Sequence, residues 1–444
     1  MELRKIYRKI SPFQMITISF FFVILLGSLL LHMQISQTGT DEVSYLDAVF
    51  TSCSAVCVTG LVVHNTATCW TFCGKVIILG LIQIGGLGVI TVIMAASIIT
   101  GKKIGIRQRN LMQNAINAPK IGGIIRFTRF ILLFTFGIEL LGTLLLAIPF
   151  ISTYGFSGGA LKAVFHSVSA FCNAGFDLFG DPTEYASLTV FHSNVFVNLV
   201  IMLLIVIGGL GFLTWEELIT NRFRPKKLQF QTKLILATSG ALILFPALFF
   251  FLFEFRTENI GTRLLESFFQ SVTTRTAGFN TADIGSMRES SLFLMILLMM
   301  IGGSPGSTAG GIKTTTFAVT VIATICYISR KKSFSAFERS IPSQVIWEAF
   351  SLFILYLALL LAGSVTLNLL EGLPMISCMF ECASALGTVG LTTGITPGLG
   401  TASKIILIAF MYFGRVGGLT LAYATLSRGK ANLGKLPEAK IMIG

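Results

Sequence analysis

Long uncharged apolar runs alternate along this chain with short polar loops, most of them basic. The run from 13 to 31, FQMITISFFFVILLGSLLL, carries no charge and reaches the ~20 residues that an α-helix needs to cross about 30 Å of hydrocarbon. Between successive basic loops there is room for two such runs and a shorter segment, and the arrangement recurs four times. The pattern predicts an all-α integral membrane protein of four concatenated helix–pore-loop–helix repeats, with eight spanning helices and four re-entrant half-helices around a pseudo-fourfold central pore. The expected repeats are 1–105, 106–225, 226–335 with a broken second helix, and 336–444 with the C-terminal tail.

The shorter segments align with one another: FTSCSAVCVTG from Phe50, FHSVSAFCNAG from Phe165, FFQSVTTRTAG from Phe268 and FECASALGTVG from Phe380, each ending in glycine at the same separation. Each lies between two runs that cross in opposite senses, so it enters and leaves on the same side and must be re-entrant. Non-helical backbone at membrane depth is tolerated only where it is buried in protein or lines a water-filled cavity. Carbonyls of such backbone, turned to a common axis, can replace the hydration shell of a cation. Glycine supplies the positive φ angles that aim successive carbonyls alike. The expected ion-binding filter residues are Cys57, Val58, Thr59 and Gly60; Asn173, Ala174 and Gly175; Thr276, Ala277 and Gly278; and Thr388, Val389 and Gly390.

Composition supports the membrane reading. Of the 444 residues 53% are hydrophobic and 12% charged, against about 25% charged in a soluble domain, and the mean hydropathy is +0.81. The net charge of +13 resides in alternate loops: 4–9, 102–129, 222–233, 330–339 and 428–440. Placed on the cytoplasmic side they satisfy the positive-inside rule, with both termini inside and Asp41, Glu42, Asp177, Asp181 and Glu184 outside. These loops are too short to form a nucleic-acid-binding face, so no nucleic-acid partner is expected.

Each filter segment is followed by a double glycine: Gly85-Gly86, Gly208-Gly209, Gly302-Gly303 and Gly417-Gly418. Close helix packing accounts for three of them. In the third repeat, IGGSPGSTAGGIKTTT puts Pro305 and several glycines inside the apolar run, which cannot stay helical, and only this second helix is expected to be interrupted. The candidate gate is Gly302, Gly303, Ser304, Pro305, Gly306, Ser307, Thr308, Ala309, Gly310 and Gly311, with Lys313 and Arg415 as cations near the pathway. Arg415 is expected to act as an electrostatic barrier, and Glu139 as a packing or interhelical hydrogen-bond residue. The phosphate-loop pattern fails because Ile312 separates Gly311 from Lys313. Four dispersed His and eight scattered Cys offer neither metal-ligand spacing nor a catalytic constellation, which argues against a membrane-embedded enzyme.

Four helix–pore–helix units with one glycine per filter segment resemble the superfamily of Trk, Ktr and plant HKT ion transporters over nearly the whole chain, and most specifically its Ktr membrane subunits, since the first repeat starts close to residue 10. The resemblance implies K⁺ uptake across the cytoplasmic membrane, with K⁺ at the filter residues and Na⁺ as a candidate coupling or activating ion. It also implies a homodimer seated on a ring of cytosolic nucleotide-binding, RCK-type regulatory subunits. Within the family a glycine in all four filters goes with K⁺ selectivity and a serine in the first with Na⁺ transport, so Gly60 favours K⁺. A Na⁺-conducting or weakly selective channel of the same superfamily is the alternative.

Overall fold

The computed structural model describes residues 11–39, 42–101, 104–116, 122–180, 187–331, 333–418 and 420–421. The basic stretches 4–9 and 428–440, Lys102, Lys103, Lys120, Lys332 and the acidic Asp41, Asp181 and Glu184 lie outside the described residues.

The first repeat opens with α1 (Pro12–His32), started by a reciprocal cap: Gln14 N donates to Ser11 Oγ at 3.2 Å and Ser11 N to Gln14 Oε1 at 3.0 Å. The half-helix α2 (Tyr45–Cys57) begins with the same device, built from Ser44 and Asp47. Then come α3 (Phe72–Leu87), α4 (Val89–Ile99) and, leading into the second repeat, α5 (Ile106–Ala115). The second repeat comprises α6 (Ile124–Phe171), α7 (Val195–Gly209) and α8 (Phe212–Thr220). The third has α9 (Phe230–Phe253), α10 (Ile260–Thr273), α11 (Glu289–Met300) and α12 (Thr314–Ile328). A two-stranded antiparallel hairpin, β1 (Ser335–Ala336) and β2 (Arg339–Ser340), leads to the fourth: α13 (Ser343–Glu371), α14 (Met375–Gly387) and α15 (Thr401–Val416).

The helices that open the repeats, α1, α6, α9 and α13, are each long and apolar enough to cross a membrane. Their outward residues, Phe22, Leu133, Phe245 and Leu369 among them, are exposed, as expected of helices whose solvent is lipid. The half-helices lie inside, and Phe50, Phe165, Phe269 and Phe380 are fully buried. In the second repeat the half-helix has no connecting loop: α6 runs on through Gly155, whose φ of 75° and ψ of 172° turn the chain within one 48-residue element.

Packing closes these units into a ring. The helix after each filter segment touches the half-helix region of the following repeat: α3 against α6, α7 against α10, α11 against α14, and α15 back against α2. The last unit thus meets the first. Lys404 Nζ, on α15, reinforces that seam with a 2.8 Å ion pair to Asp47 Oδ1 on α2.

Three expectations about the repeats need correction. First, all four second helices are interrupted, not the third alone. Gly88, Gly211 and Gly417 share φ of 83–91° and ψ of 132–141°, a region open to glycine only. The chain bends there by 93° between α3 and α4 and by 95° between α7 and α8. Second, the fourth repeat's counterpart of Gly85-Gly86 is Gly414-Arg415, not Gly417-Gly418. A Cβ on Gly85, Gly208 or Gly414 would strike the carbonyl oxygen of Val56, Phe171 or Leu386, each four residues before its filter glycine. Third, the phenylalanine-to-glycine separation is not uniform. Phe269, not Phe268, is the fully buried equivalent of Phe50, Phe165 and Phe380, so the third repeat is one residue shorter before its glycine.

Candidate ion pathway

Three of the four half-helices share one way of ending, while the third repeat closes more tightly, with Ala277 N donating to Thr273 O at 3.0 Å. Thr59 N, Ala174 N and Val389 N each donate at 2.8 Å across six residues to Ser54 O, Ser169 O and Ser384 O, which closes a Schellman turn. The left-handed residue of such a turn is ordinarily glycine. Here it is Val58 at φ 57°, Asn173 at 58° and Thr388 at 53°, and in the shortened third repeat Thr276 stands at 72°. Three of these are β-branched, for which a positive φ is a true outlier, at about 1–3 kcal/mol each. Nothing in the local sequence announces that strain, because it is imposed by the surrounding packing.

Gly60, Gly175, Gly278 and Gly390 follow two residues later, with φ of 91°, 69°, 81° and 95°. A Cβ on Gly60 would meet Ala174 O, on Gly175 Ala277 O, on Gly278 Val389 O and on Gly390 Thr59 O, none farther than 2.7 Å. Each glycine therefore abuts the middle carbonyl of the next segment, in chain order, until the fourth returns to the first. Side chains behind the ring hold it: Gly60 N donates to Ser54 Oγ at 3.1 Å, Gly390 N to Ser384 Oγ at 3.0 Å, and Ser169 Oγ to Phe176 O at 2.8 Å. The Asn173 amide, with its nitrogen facing Ala170 O and Ile205 O, accepts from the Thr276 hydroxyl at 3.2 Å and joins the second segment to the third. Cys57 stands apart from this irregular backbone: it is the last residue of α2, and its Sγ lies 3.8 Å from Cys53 Sγ.

On one side of the ring lies the segment from Ile301 to Lys313, which touches the second and fourth repeats directly and is linked to the first through Arg415. Ser304 N donates to Gly209 O at 2.9 Å, Phe212 N to Gly306 O at 2.9 Å, and Thr308 Oγ1 to Phe171 O at 3.1 Å, all in the second repeat. Gly310 packs so closely on Thr388 of the fourth repeat that a Cβ would overlap the threonine side chain, and Gly311 N donates to Gly414 O at 3.3 Å. Within the segment Gly302 N donates to Ile312 O at 2.8 Å, and the Ser304 and Thr314 hydroxyls are 3.0 Å apart. Pro305, Gly306, Ser307 and Ala309 border a cavity of about 660 Å³ that Lys313 and Arg415 also line.

Arg415 stitches this segment to the opposite wall. Its guanidinium donates to Thr308 O on one side and to Gly85 O and Gly86 O, the latter at 3.2 Å, on the other. All three partners are carbonyls. Lys313 Nζ donates at 2.7 Å to Ala309 O, inside the segment itself. Glu139, on α6, accepts from Gln83 Nε2 of α3 at 3.2 Å, an interhelical bond between the first two repeats. Sequence reading missed the carbonyl receptors at Gly85, Gly86, Gly208 and Gly209. The recurring Gly-Gly was their signal, since a helix about to break at the next glycine leaves its last carbonyls without intrahelical donors.

The fold defines a membrane protein of four helix–pore-segment–helix repeats closed around one axis. The family description for TrkH, cation transport protein, matches residues 7–428, and the chain belongs to that family of cation transporters. It is 40% identical to the Ktr system potassium uptake protein B of Bacillus subtilis, over 98% of this chain and 97% of that one. It is 38% identical to the potassium/sodium uptake protein NtpJ of Enterococcus hirae, over 99% of each. The crystal structure of the potassium transporter TrkH from Vibrio parahaemolyticus superposes with a TM-score of 0.76 at 18% identity, covering 94% of this chain and 85% of that one. The match confirms the fold.

Proposed function

We propose that the chain carries K⁺ across the cytoplasmic membrane into the cell through the ring formed by residues 58–60, 173–175, 276–278 and 388–390. The observation that carries this reading is the closed contact of four left-handed glycines with four carbonyls. Backbone oxygens set at that spacing can coordinate a cation stripped of water, and the C-termini of the half-helices add their partial negative charge. K⁺ is favoured because all four segments keep glycine and because the Bacillus relative is named for potassium uptake. A second reading, K⁺ together with Na⁺, has its own support in the Enterococcus relative, named for both ions.

The segment from Gly302 to Gly311 is the gate in this reading. It lies immediately inside the ring, held by hydrogen bonds that a modest shift of α12 would break. Arg415 is both its latch and a positive charge on the route. A ring of cytosolic RCK-type subunits, acting on the basic loops of a membrane homodimer whose termini face the cytoplasm, would shift the balance between two positions of the segment.

Isotopic K⁺ uptake in a K⁺-transport-deficient cell, with and without such a subunit and with Na⁺ as competitor, tests the whole reading. Saturable K⁺ uptake that excess Na⁺ does not block supports K⁺ selectivity. Equal competition by Na⁺ establishes the second reading, and no cation uptake in either condition overturns both.

A further inference from the structure

One residue after the buried phenylalanine, every half-helix carries a buried polar side chain: Thr51, His166, Gln270 and Glu381. The four occupy equivalent places behind the ring, and two of them make the same contact. His166 Nδ1 donates to Lys162 O at 2.7 Å, so its Nε2 is free to accept from Leu178 N, three residues beyond Gly175, at 3.3 Å. The Glu381 carboxylate accepts from Thr393 N, three residues beyond Gly390, at 3.1 Å. In the third repeat neither amide atom of Gln270 meets a partner among the described residues.

Glu381 goes further than its counterparts. It also accepts from the Thr392 hydroxyl and, at 2.8 Å, from the Thr396 hydroxyl, and it is completely buried. All three donors belong to the turn that leads outward from Gly390. Three donors converge on this one carboxyl group, so the turn is held to α14 at three points. The fourth segment in turn touches both neighbours, with Val389 O against Gly278 and Gly390 against Thr59 O. A displacement of the turn would pass to the third and first segments together.

We propose that Glu381 is a positioning residue for ion discrimination: by holding Thr392, Thr393 and Thr396 it sets where the Val389 and Gly390 carbonyls stand in the ring. The proposal rests on the pore assignment above. A side chain that merely stabilised α14 would alter the amount of folded protein and leave the preference among ions untouched. Glu371 serves as the control. Its carboxylate joins α13 to the start of α15 through Gly400 N at 2.9 Å and the Ser403 hydroxyl, away from the ring.

The test is K⁺ uptake with Na⁺ competition by the full-length protein in K⁺-transport-deficient cells, normalised to the amount in the membrane. Glu381→Gln, whose amide puts an N–H where one of the three donors now points, should lower the K⁺/Na⁺ ratio by roughly fivefold to tenfold, as expected from losing a buried hydrogen bond. Thr392→Val and Thr396→Val, which leave the carboxylate in place, should shift it the same way by less, and Glu381→Asp should restore only part of it. Glu371→Gln should leave the ratio as in the parent. Should Glu381→Gln fail to reach the membrane, the two threonine variants decide. A parental ratio in all the Glu381 and threonine variants that fold, alongside a lowered ratio for Gly390→Ser, overturns the clamp alone. A parental ratio in Gly390→Ser as well overturns the pore assignment beneath it.

Discussion

Two levels of one axis are built in opposite ways. The outer ring is made four times over from pieces that differ in side chain, Val-Thr-Gly beside Asn-Ala-Gly, yet all place a left-handed residue two positions before a left-handed glycine. The inner crossing is made once, by a segment of the third repeat that has no counterpart, and it depends on named side chains: Ser304, Thr308 and, from the far wall, Arg415. Where glycine meets backbone carbonyl, the side chains are free to vary provided glycine closes each turn. Where one strand must bridge two neighbours and meet a third through Arg415, each anchor is specific, and losing one frees the strand.

This contrast breaks most sharply at the ring. Serine at Gly390, whose Cβ would overlap Thr59 O, should lower the K⁺/Na⁺ uptake ratio by at least roughly tenfold, because displacing the ring costs more than the ~1.4 kcal/mol that a factor of ten represents. Gly175→Ser, where the nearest carbonyl is 2.7 Å away, should do the least of the four. An unchanged ratio at all four positions would remove the ring from the pathway.

The inner crossing should respond in the opposite sense. On the proposed gate, deleting Ser304 to Ala309 removes an obstruction in place of a selective element, so K⁺ uptake should become independent of the proposed cytosolic partner while ion preference is kept. A well-expressed deletion that still needs the partner would falsify the gate assignment. Arg415→Gln unlatches the segment and removes a charge from the route, so K⁺ flux should rise severalfold. A fall in flux at normal protein levels would assign Arg415 to holding α15 in place.

The smallest effect belongs to the bends. Gly88 and Gly211 have the same strained geometry, but a Cβ on Gly88 has no neighbour nearer than 3.8 Å, while one on Gly211 meets Pro305 O at 2.7 Å. Both alanine variants should lose about 1–3 kcal/mol of stability from backbone strain. Gly211→Ala should also press on the segment and alter flux. Thermal unfolding in detergent together with uptake separates the two, and identical behaviour would show that the bend does not support the inner crossing.

Much of this was legible in the chain. Long runs without charge announce spanning helices, because a helix satisfies its backbone in lipid within a single segment, and four recurring glycines announced the ring. What was misread lies within single residues. Phe268 and Phe269 are both phenylalanine, so the missing residue of the third repeat could be located only by which ring is buried. Gly414-Arg415 hid behind Gly417-Gly418 for the same reason, since a string of letters does not say which glycine faces Leu386 O. The left-handed Val58, Asn173, Thr276 and Thr388 contradict local preference, and such conformations persist only where surrounding packing over-determines them.

By itself the sequence determined the class of fold, the number of repeats and the break in the third repeat's second helix, because these follow from hydropathy, charge and the conformational freedom of glycine, all of which act within a few residues; the bends at Gly88, Gly211 and Gly417 it did not announce. Tertiary structure alone decided that the fourth segment closes on the first, that the inner strand binds the second and fourth repeats, and that Arg415 ties it to the first by binding carbonyls in place of a carboxylate. Those outcomes join residues as far apart as Gly85 and Arg415. Contacts between such distant positions depend on how whole helices pack, and no local pattern encodes them.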